Sequence, residues 1–156
     1  MDIYFKSTEP NATIPTLGTI YSAGYDFYSC ENKTIPAFGR QTFKTGISVM
    51  WTDPSVYLQL QSRSGLALKH GITCEAGVID YDYLKEIIVI LQNHTPEEYT
   101  VAENDRICQG VFLIKPMILN TRVVNNWEDI HNAVYHLPYL HSMTNIRSGG
   151  FGSTGR

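Results

Sequence analysis

The C-terminal segment Arg147-Ser148-Gly149-Gly150-Phe151-Gly152-Ser153-Thr154-Gly155-Arg156 mixes glycines, hydroxyls, two arginines and one aromatic ring. Glycines let successive backbone N–H groups turn toward a phosphate. Ser and Thr add donors, and each guanidinium offers a planar fork matched to phosphate oxygens. A lone Phe among glycines has no core to join, but it can stack on a flat ring. The same composition also describes a plain flexible tail, so the residues alone leave both readings open.

Two further strings carry polar chemistry. Ser62-Arg63-Ser64-Gly65-Leu66-Ala67 puts Arg and Ser at the mouth of a short predicted helix, where free N–H groups favour an anion. A simple N-cap beside a surface Arg is the plainer reading of that string. Gly77-Val78-Ile79-Asp80-Tyr81-Asp82-Tyr83 reads as a strand running into a turn with two carboxylates and two rings. Asp80, directly after Val78-Ile79, is either a turn former or a general base.

The elements that must position these residues are mostly strands. β-Branched and aromatic residues come in short runs broken by Gly, Pro, Asn and Asp, the pattern of an all-β domain. Val56, Leu58 and Leu60 alternate with Tyr57, Gln59 and Gln61, which predicts one buried face. Residues 43–50 and 107–114 read as strands. Ile87-Ile88-Val89-Ile90-Leu91 is apolar on both faces, so it needs cover on both sides, from a second sheet or another subunit. Ser64 to Gly71 reads as a short helix with Ser able to cap its start and Gly able to end it. Trp127, Ile130, Val134 and Leu137 share one face of a second predicted helix, with Asn126 before it and Pro138 after it.

Taken in order, these strings resemble the five motifs of the trimeric dUTPase family, the deoxyuridine triphosphate nucleotidohydrolases. Ala23-Gly24-Tyr25-Asp26-Phe27-Tyr28-Ser29 is similar to the first motif and Arg63-Ser64-Gly65-Leu66-Ala67 to the second. Gly77 to Tyr83, with Glu86-Ile87, is similar to the third, and Asp105-Arg106-Ile107-Cys108-Gln109 to the fourth. Arg147 to Gly155 is similar to the fifth. The resemblance covers nearly the whole chain.

It implies a distorted β-barrel of jelly-roll type, assembled as a homotrimer with active sites shared between subunits. It implies Mg²⁺-dependent hydrolysis of dUTP to dUMP and pyrophosphate. By position, Asp80 would orient and deprotonate the attacking water, and Tyr83 would pack on the deoxyribose. Backbone groups of the hairpin from Cys74 to Tyr83, with Cys74, Gly77 and Ile79 among them, would read the uracil edge. Asp26 would reach the Mg²⁺ shell through water. Arg63, Ser64, Gly65 and Gln109 would contact the phosphate chain. From the arm, residues 147–156, Phe151 would stack on uracil while Arg147, Gly152, Ser153 and Thr154 grip the phosphates. Residues 1–146 would be the barrel domain, with an insertion at about 118–145.

The chain departs from the family pattern at Ser62, Glu75, Leu84-Lys85 and Asn104, none of which removes a residue given a chemical role. Asn104 stands where the family has Gly, and Asn tolerates positive φ. His131, His136 and His141 fall inside the insertion at a spacing of about 140° around a helix, which makes no helical metal pair.

Composition sets outer bounds. The 156 residues amount to one domain. With 12 Lys and Arg against 15 Asp and Glu, the net charge is -3, which argues against a nucleic-acid binder. A small polyanion held by local charge is still allowed. The three cysteines, Cys30, Cys74 and Cys108, are too few and scattered for a disulfide framework, and reduced thiols point to an intracellular protein, cytoplasmic or nuclear. No apolar run is long enough to cross a membrane. Two other functions remain on the page. One is dCTP deamination, the activity of the sister family, which needs a Glu in the base pocket. The other is a dUTP-binding regulator that contacts a protein partner through the 118–145 insertion.

Overall fold

The computed structural model describes residues 1–116 and Val123. Strands β1 (Ile3–Ser7), β2 (Thr16–Leu17), β3 (Tyr25–Tyr28), β4 (Lys33–Ile35), β5 (Arg40–Lys44), β6 (Ile47–Trp51) and β7 (Val56–Gln61) come first. Helix α1 (Ser64–His70) follows, then β8 (Ile72–Glu75), β9 (Val78–Ile79), β10 (Ile88–Asn93), β11 (Tyr99–Val101) and β12 (Arg106–Ile114). The architecture is the expected all-β, jelly-roll-like one. Among the described residues the ladders stay open and close no barrel. The predicted helix at Trp127–Leu137, the three histidines of the insertion and the arm lie outside the described residues.

The widest sheet runs β2-β3-β12-β7-β9, and a second runs β5-β10-β8. Two-stranded ladders β1-β6 and β11-β4 complete the set. All of these pairings are antiparallel. β12 is the last of the described strands, yet it lies between β3 and β7. Its Gln109 stands opposite Asp26 on one side and Gln61 on the other. The alternation predicted for β7 holds: Val56, Leu58 and Leu60 are buried, while the residues between them are half-buried or exposed. These residues join Phe27, Phe43, Trp51, Leu91 and their neighbours in one apolar core. Trp51 donates its indole N–H to the Val56 carbonyl at 3.0 Å, so the largest core side chain leaves no orphan donor.

Three sequence expectations need correction. The run 43–50 is two strands, because β5 pairs with β10 whereas β6 pairs with β1. The chain changes sheets at Gly46, whose φ of 65° suits glycine and where a Cβ would sit 2.6 Å from that of Ala12. Ser64 does not cap α1: the N-cap is Arg63, in an extended conformation, with no side-chain hydrogen bond to the first turn. The other end matches expectation, with Gly71 in the left-handed region as C-cap. The stretch from Cys74 to Tyr83 is not a two-stranded ladder, since β8 pairs with β10 and β9 with β7. The doubly apolar run is covered on one face only within a single chain. Ile87, Val89 and Leu91 are buried, while Ile88 is 38% exposed and Ile90 half-buried.

Candidate active site

Asp26 is the centre of one half of the site. It lies on β3 and is only 7% exposed, so its charge must be compensated locally. Arg63, just beyond β7, places Nε 3.2 Å from Oδ1. Arg106, the first residue of β12, places Nη1 3.3 Å from Oδ2. Arg63 also donates through Nη1 to the Arg106 carbonyl at 2.8 Å, which ties the two arginines into one frame. A bulge between Arg106 and Cys108 shifts the β3–β12 register at this point. Bulges re-aim side chains, and here Arg106 reaches the carboxylate two strand positions away. Gln109 donates to the Gly24 carbonyl at 3.3 Å and stands opposite Asp26 in the ladder.

Beside this cluster runs a groove of about 330 Å³ lined by Arg63, Leu66, Tyr99, Asn104 and Arg106, among others. Asn104 adopts φ 68°, the left-handed conformation expected of it. Burial pushes the Tyr99 hydroxyl above its ordinary pKa, and the Asp105 charge adds to that while Arg63 opposes it. The first turn of α1 opens on the same side through Arg63. A Cβ added at Gly65 would meet nothing within 4 Å, so the backbone there is open to approach.

The other half of the site is the segment from β8 to Tyr83. Cys74 donates its backbone N–H to Ser62 Oγ at 2.9 Å, which fastens β8 to the end of β7. Ala76 turns the chain with φ 49°. Gly77 then passes so close to β7 that a Cβ would lie 2.3 Å from the Leu60 carbonyl oxygen. Its own carbonyl accepts from Leu60 N–H at 2.7 Å. Any side chain at residue 77 would therefore push β9 off β7. Ile79, opposite Leu58, is buried and leads into Asp80, which is exposed. The Asp80 carbonyl accepts from Tyr83 N–H at 3.1 Å, closing a tight turn. Tyr83 packs against the core and donates its hydroxyl to the Glu86 carbonyl at 2.9 Å.

The structure thus gathers Asp26, Arg63, Ser64, Gly65 and Gln109 at one end of the wide sheet. It holds Cys74 next to them through Ser62. Gly77, Ile79, Asp80 and Tyr83 form a second group on the far side of β7, and the groove beside Arg63 includes none of them. Arg147, Phe151, Gly152, Ser153 and Thr154 lie outside the described residues.

The dUTPase family's sequence profile matches residues 10–155. The chain belongs to the dUTPase family. The deoxyuridine 5'-triphosphate nucleotidohydrolase of Candida albicans is 39% identical across 100% of this chain and 88% of its own length. That of Debaryomyces hansenii is 42% identical across 94% of this chain and 82% of its own. That of Paramecium bursaria Chlorella virus 1 is 39% identical across 96% of this chain and 95% of its own. A mutant dUTPase of Staphylococcus bacteriophage 80alpha, solved with dUpNHpp, superposes at a TM-score of 0.78 with 20% identity, covering 99% of each chain. The dUTPase of phage phi11 of S. aureus gives 0.73 at 21% identity, over 82% of this chain and 99% of its own; that protein coordinates a structural Mg(II) ion. At such identities these structures speak for the fold alone.

Membership of the dUTPase family raises the question of a metal. Among the described residues, no group of three or more His, Cys, Asp or Glu side chains gathers to hold one. Both Asp26 oxygens already face arginines, although an ionised carboxylate keeps lone pairs free to accept from a water. The described residues therefore do not build a protein cage for Mg²⁺. What they offer is the Asp26 carboxylate, whose remaining lone pairs could accept from a water of such an ion's shell.

Arg106 joins the Asp26 cluster although sequence reasoning gave it no role. It sits inside the fourth dUTPase motif, but nothing in the sequence assigned it a partner. The signal was Asp26 itself, an acidic residue flanked by Tyr25 and Phe27 in a strand too apolar to leave it unpaired.

Proposed function

We propose that this dUTPase-family chain hydrolyses dUTP, as its magnesium complex, to dUMP and pyrophosphate. Water attacks the α-phosphorus, the new P–O bond forms, the bond to the pyrophosphate leaving group breaks, and the water's proton passes to the Asp80 carboxylate. The reaction removes dUTP before a polymerase can insert it into DNA and supplies dUMP for thymidylate synthesis. The observation that carries this reading is the buried Asp26 holding two arginines at the mouth of α1, beside Gln109 and the open backbone of Gly65. A triphosphate carries about four negative charges, and fixed cations beside free N–H groups are what stabilise it in a net acidic protein.

In this reading Asp26 orients Arg63 toward the phosphates and accepts from a water of the substrate's Mg²⁺ shell. When bound, the ion offsets triphosphate charge. Backbone groups of Cys74, Gly77 and Ile79 read the uracil edge. Tyr83, anchored at both ends by core packing and by the Glu86 carbonyl, presents a fixed ring to the sugar. That ring crowds a 2′-hydroxyl and gives it no partner. Arg147, Gly152, Ser153 and Thr154 of the arm close over the phosphates and Phe151 stacks on uracil.

The chain acts as a homotrimer in this proposal. Ile88 and Ile90 leave an apolar outer face on β10 for a neighbour to cover. The Asp80 turn, which contributes nothing to the lining of the Arg63 groove within one chain, would meet it across subunits. The test is pyrophosphate release measured with dUTP, dTTP, dCTP and UTP, with and without Mg²⁺. Release from dUTP alone, lost on chelation, is the expected result. Ammonia release from dCTP would instead assign the sister activity, and tight dUTP binding without turnover would assign a regulator.

A further inference from the structure

We propose that Cys74 and Cys108 form an oxidisable pair, which a peroxide closes into an intramolecular disulfide that disables the neighbouring site; the loss of activity rests on the function proposed above. Cross-strand partners point to the same side of a sheet. Cys74 stands opposite Leu91 in the β5-β10-β8 sheet, and Cys108 stands opposite Phe27 in the wide sheet. Leu91 and Phe27 are both buried in the common core, so the two cysteines face each other from opposing sheets. A second path confirms their proximity. Cys74 N–H binds Ser62, Ser62 follows Gln61, and Gln61 stands opposite Gln109, the residue after Cys108.

The two thiols are chemically unequal. Cys108 is fully buried, whereas Cys74 is half-buried. The neighbouring Cys108 thiol lowers the proton affinity of Cys74, and the Cys74 sulfur raises that of Cys108, with burial raising Cys108 further. The Cys74 S–H itself points to the Glu75 carbonyl at 3.9 Å. Cys74 is therefore the accessible sulfur with the stabilised thiolate, and Cys108 is the resolving partner. Hydrogen peroxide is the oxidant. The Cys74 thiolate attacks one peroxide oxygen, the O–O bond breaks, and Cys74 becomes a sulfenic acid as hydroxide leaves. The Cys108 sulfur then attacks the Cys74 sulfur, the S–O bond breaks, and the Cys108 proton leaves with that oxygen as water. Two electrons pass from the thiols to peroxide.

Closure shortens a thiol contact to an S–S bond of about 2.05 Å and draws β8 toward β12. Ser62 and Gln109 adjoin the two ends of that bond, so Arg63 and the phosphate end of the site shift with it. Cys30, on the loop after β3, is buried apart and donates its S–H to the Lys44 carbonyl at 3.4 Å.

The full-length protein is reduced, freed of thiol, treated with stoichiometric hydrogen peroxide, blocked with iodoacetamide and digested with trypsin without reductant. The expected product links segment 70–85 to segment 107–122, since trypsin does not cut the Lys115–Pro116 bond. It persists in Cys30→Ser and vanishes in Cys74→Ser and in Cys108→Ala. Turnover of dUTP in the cross-linked protein falls at least ~10-fold, since a displacement of about 1 Å at a reacting centre costs up to ~10²-fold, and dithiothreitol restores it. Cys108→Ala is tested with peroxide too, and its turnover after treatment equals that of the same variant before treatment. A peroxide-treated protein without the 70–85 to 107–122 link overturns the inference, as does a cross-linked protein with full turnover. A reduced protein that leaves dUTP intact refutes the proposed function instead, and the peptide map still decides the bond.

Discussion

The two halves of the site are built on opposite principles. Around Asp26 every charge has a partner within the chain, and two arginines are fixed before any ligand arrives. Around Asp80 the chain provides a tight turn and an anchored Tyr83, but the carboxylate and much of the flanking surface stay open, with Val78 60% and Leu84 61% exposed. The first half is pre-organised and its cost is met in folding. The second half is held by backbone hydrogen bonds, the buried Ile79 and the anchored Tyr83, and in the proposed trimer it is completed from outside, by substrate and by a neighbouring subunit. Binding and stability should therefore separate from turnover when each half is altered in turn.

The largest effect is expected at the open half. Asp80→Asn should cut turnover by at least ~10²-fold while dUTP affinity and melting temperature stay at parental values, as measured by pyrophosphate release, calorimetry and thermal unfolding. An exposed carboxylate carries little of the fold, so a matching loss of stability would erase the contrast between the halves. Mixing that variant with a protein truncated before Arg147 sharpens the same point. Each alone should be nearly inactive, and mixed trimers should regain activity because the two defects can fall in different sites. No recovery after subunit exchange, checked by light scattering, would confine each site to one chain.

At the closed half the balance should reverse. Asp26→Asn should lower stability by about 2 kcal/mol in denaturant titration, because two guanidinium groups lose their charged acceptor. The value sits below that of a fully buried pair because the Arg106 side chain is 51% exposed. A smaller shift follows for Tyr83→Ala, which should narrow the preference for dUTP over UTP by about 10-fold in kcat/KM. The smallest concerns the rim of the groove. Asn104→Ala should cost about 1 kcal/mol in thermal unfolding, because the Ala Cβ crowds the backbone at positive φ with no polar side chain to offset it, whereas Asn104→Gly, free of that crowding, should be near neutral.

The two halves also differ in how far they could be read from the sequence. Local signals sufficed for the alternation of Val56 to Gln61 and for Gly71 at the end of α1, and the family pattern for the positive φ of Asn104. Motif order singled out Asp80, Tyr83 and Arg63 as candidates. The strand run 43–50 hid its break because β-branched residues continue through it, and only the sheet change at Gly46 separates β5 from β6. Ser64 looked like a cap by type, yet helical dihedrals already begin there and the extended residue is Arg63. Asp26 signalled that it needs a cation, but that Arg106 supplies one was not legible, since ion pairing between distant positions depends on strand order, which composition does not encode. The facing of Cys74 and Cys108 was hidden for the same reason: it is a property of two sheets, and each cysteine alone reads as a small apolar residue.

The place of β12 bears on how the chain is made. Asp26 is paired by a side chain 80 positions later, and the strand between β3 and β7 is the last of the described strands to be synthesised. At roughly 5–20 residues per second, Asp26 waits roughly 4–16 s on the ribosome for Arg106. During that interval β3 and β7 each present an open edge, and a carboxylate without its cations keeps β3 hydrated. The unpaired charge that the native state must compensate so carefully is then an asset, because a charged edge resists joining the wrong strand.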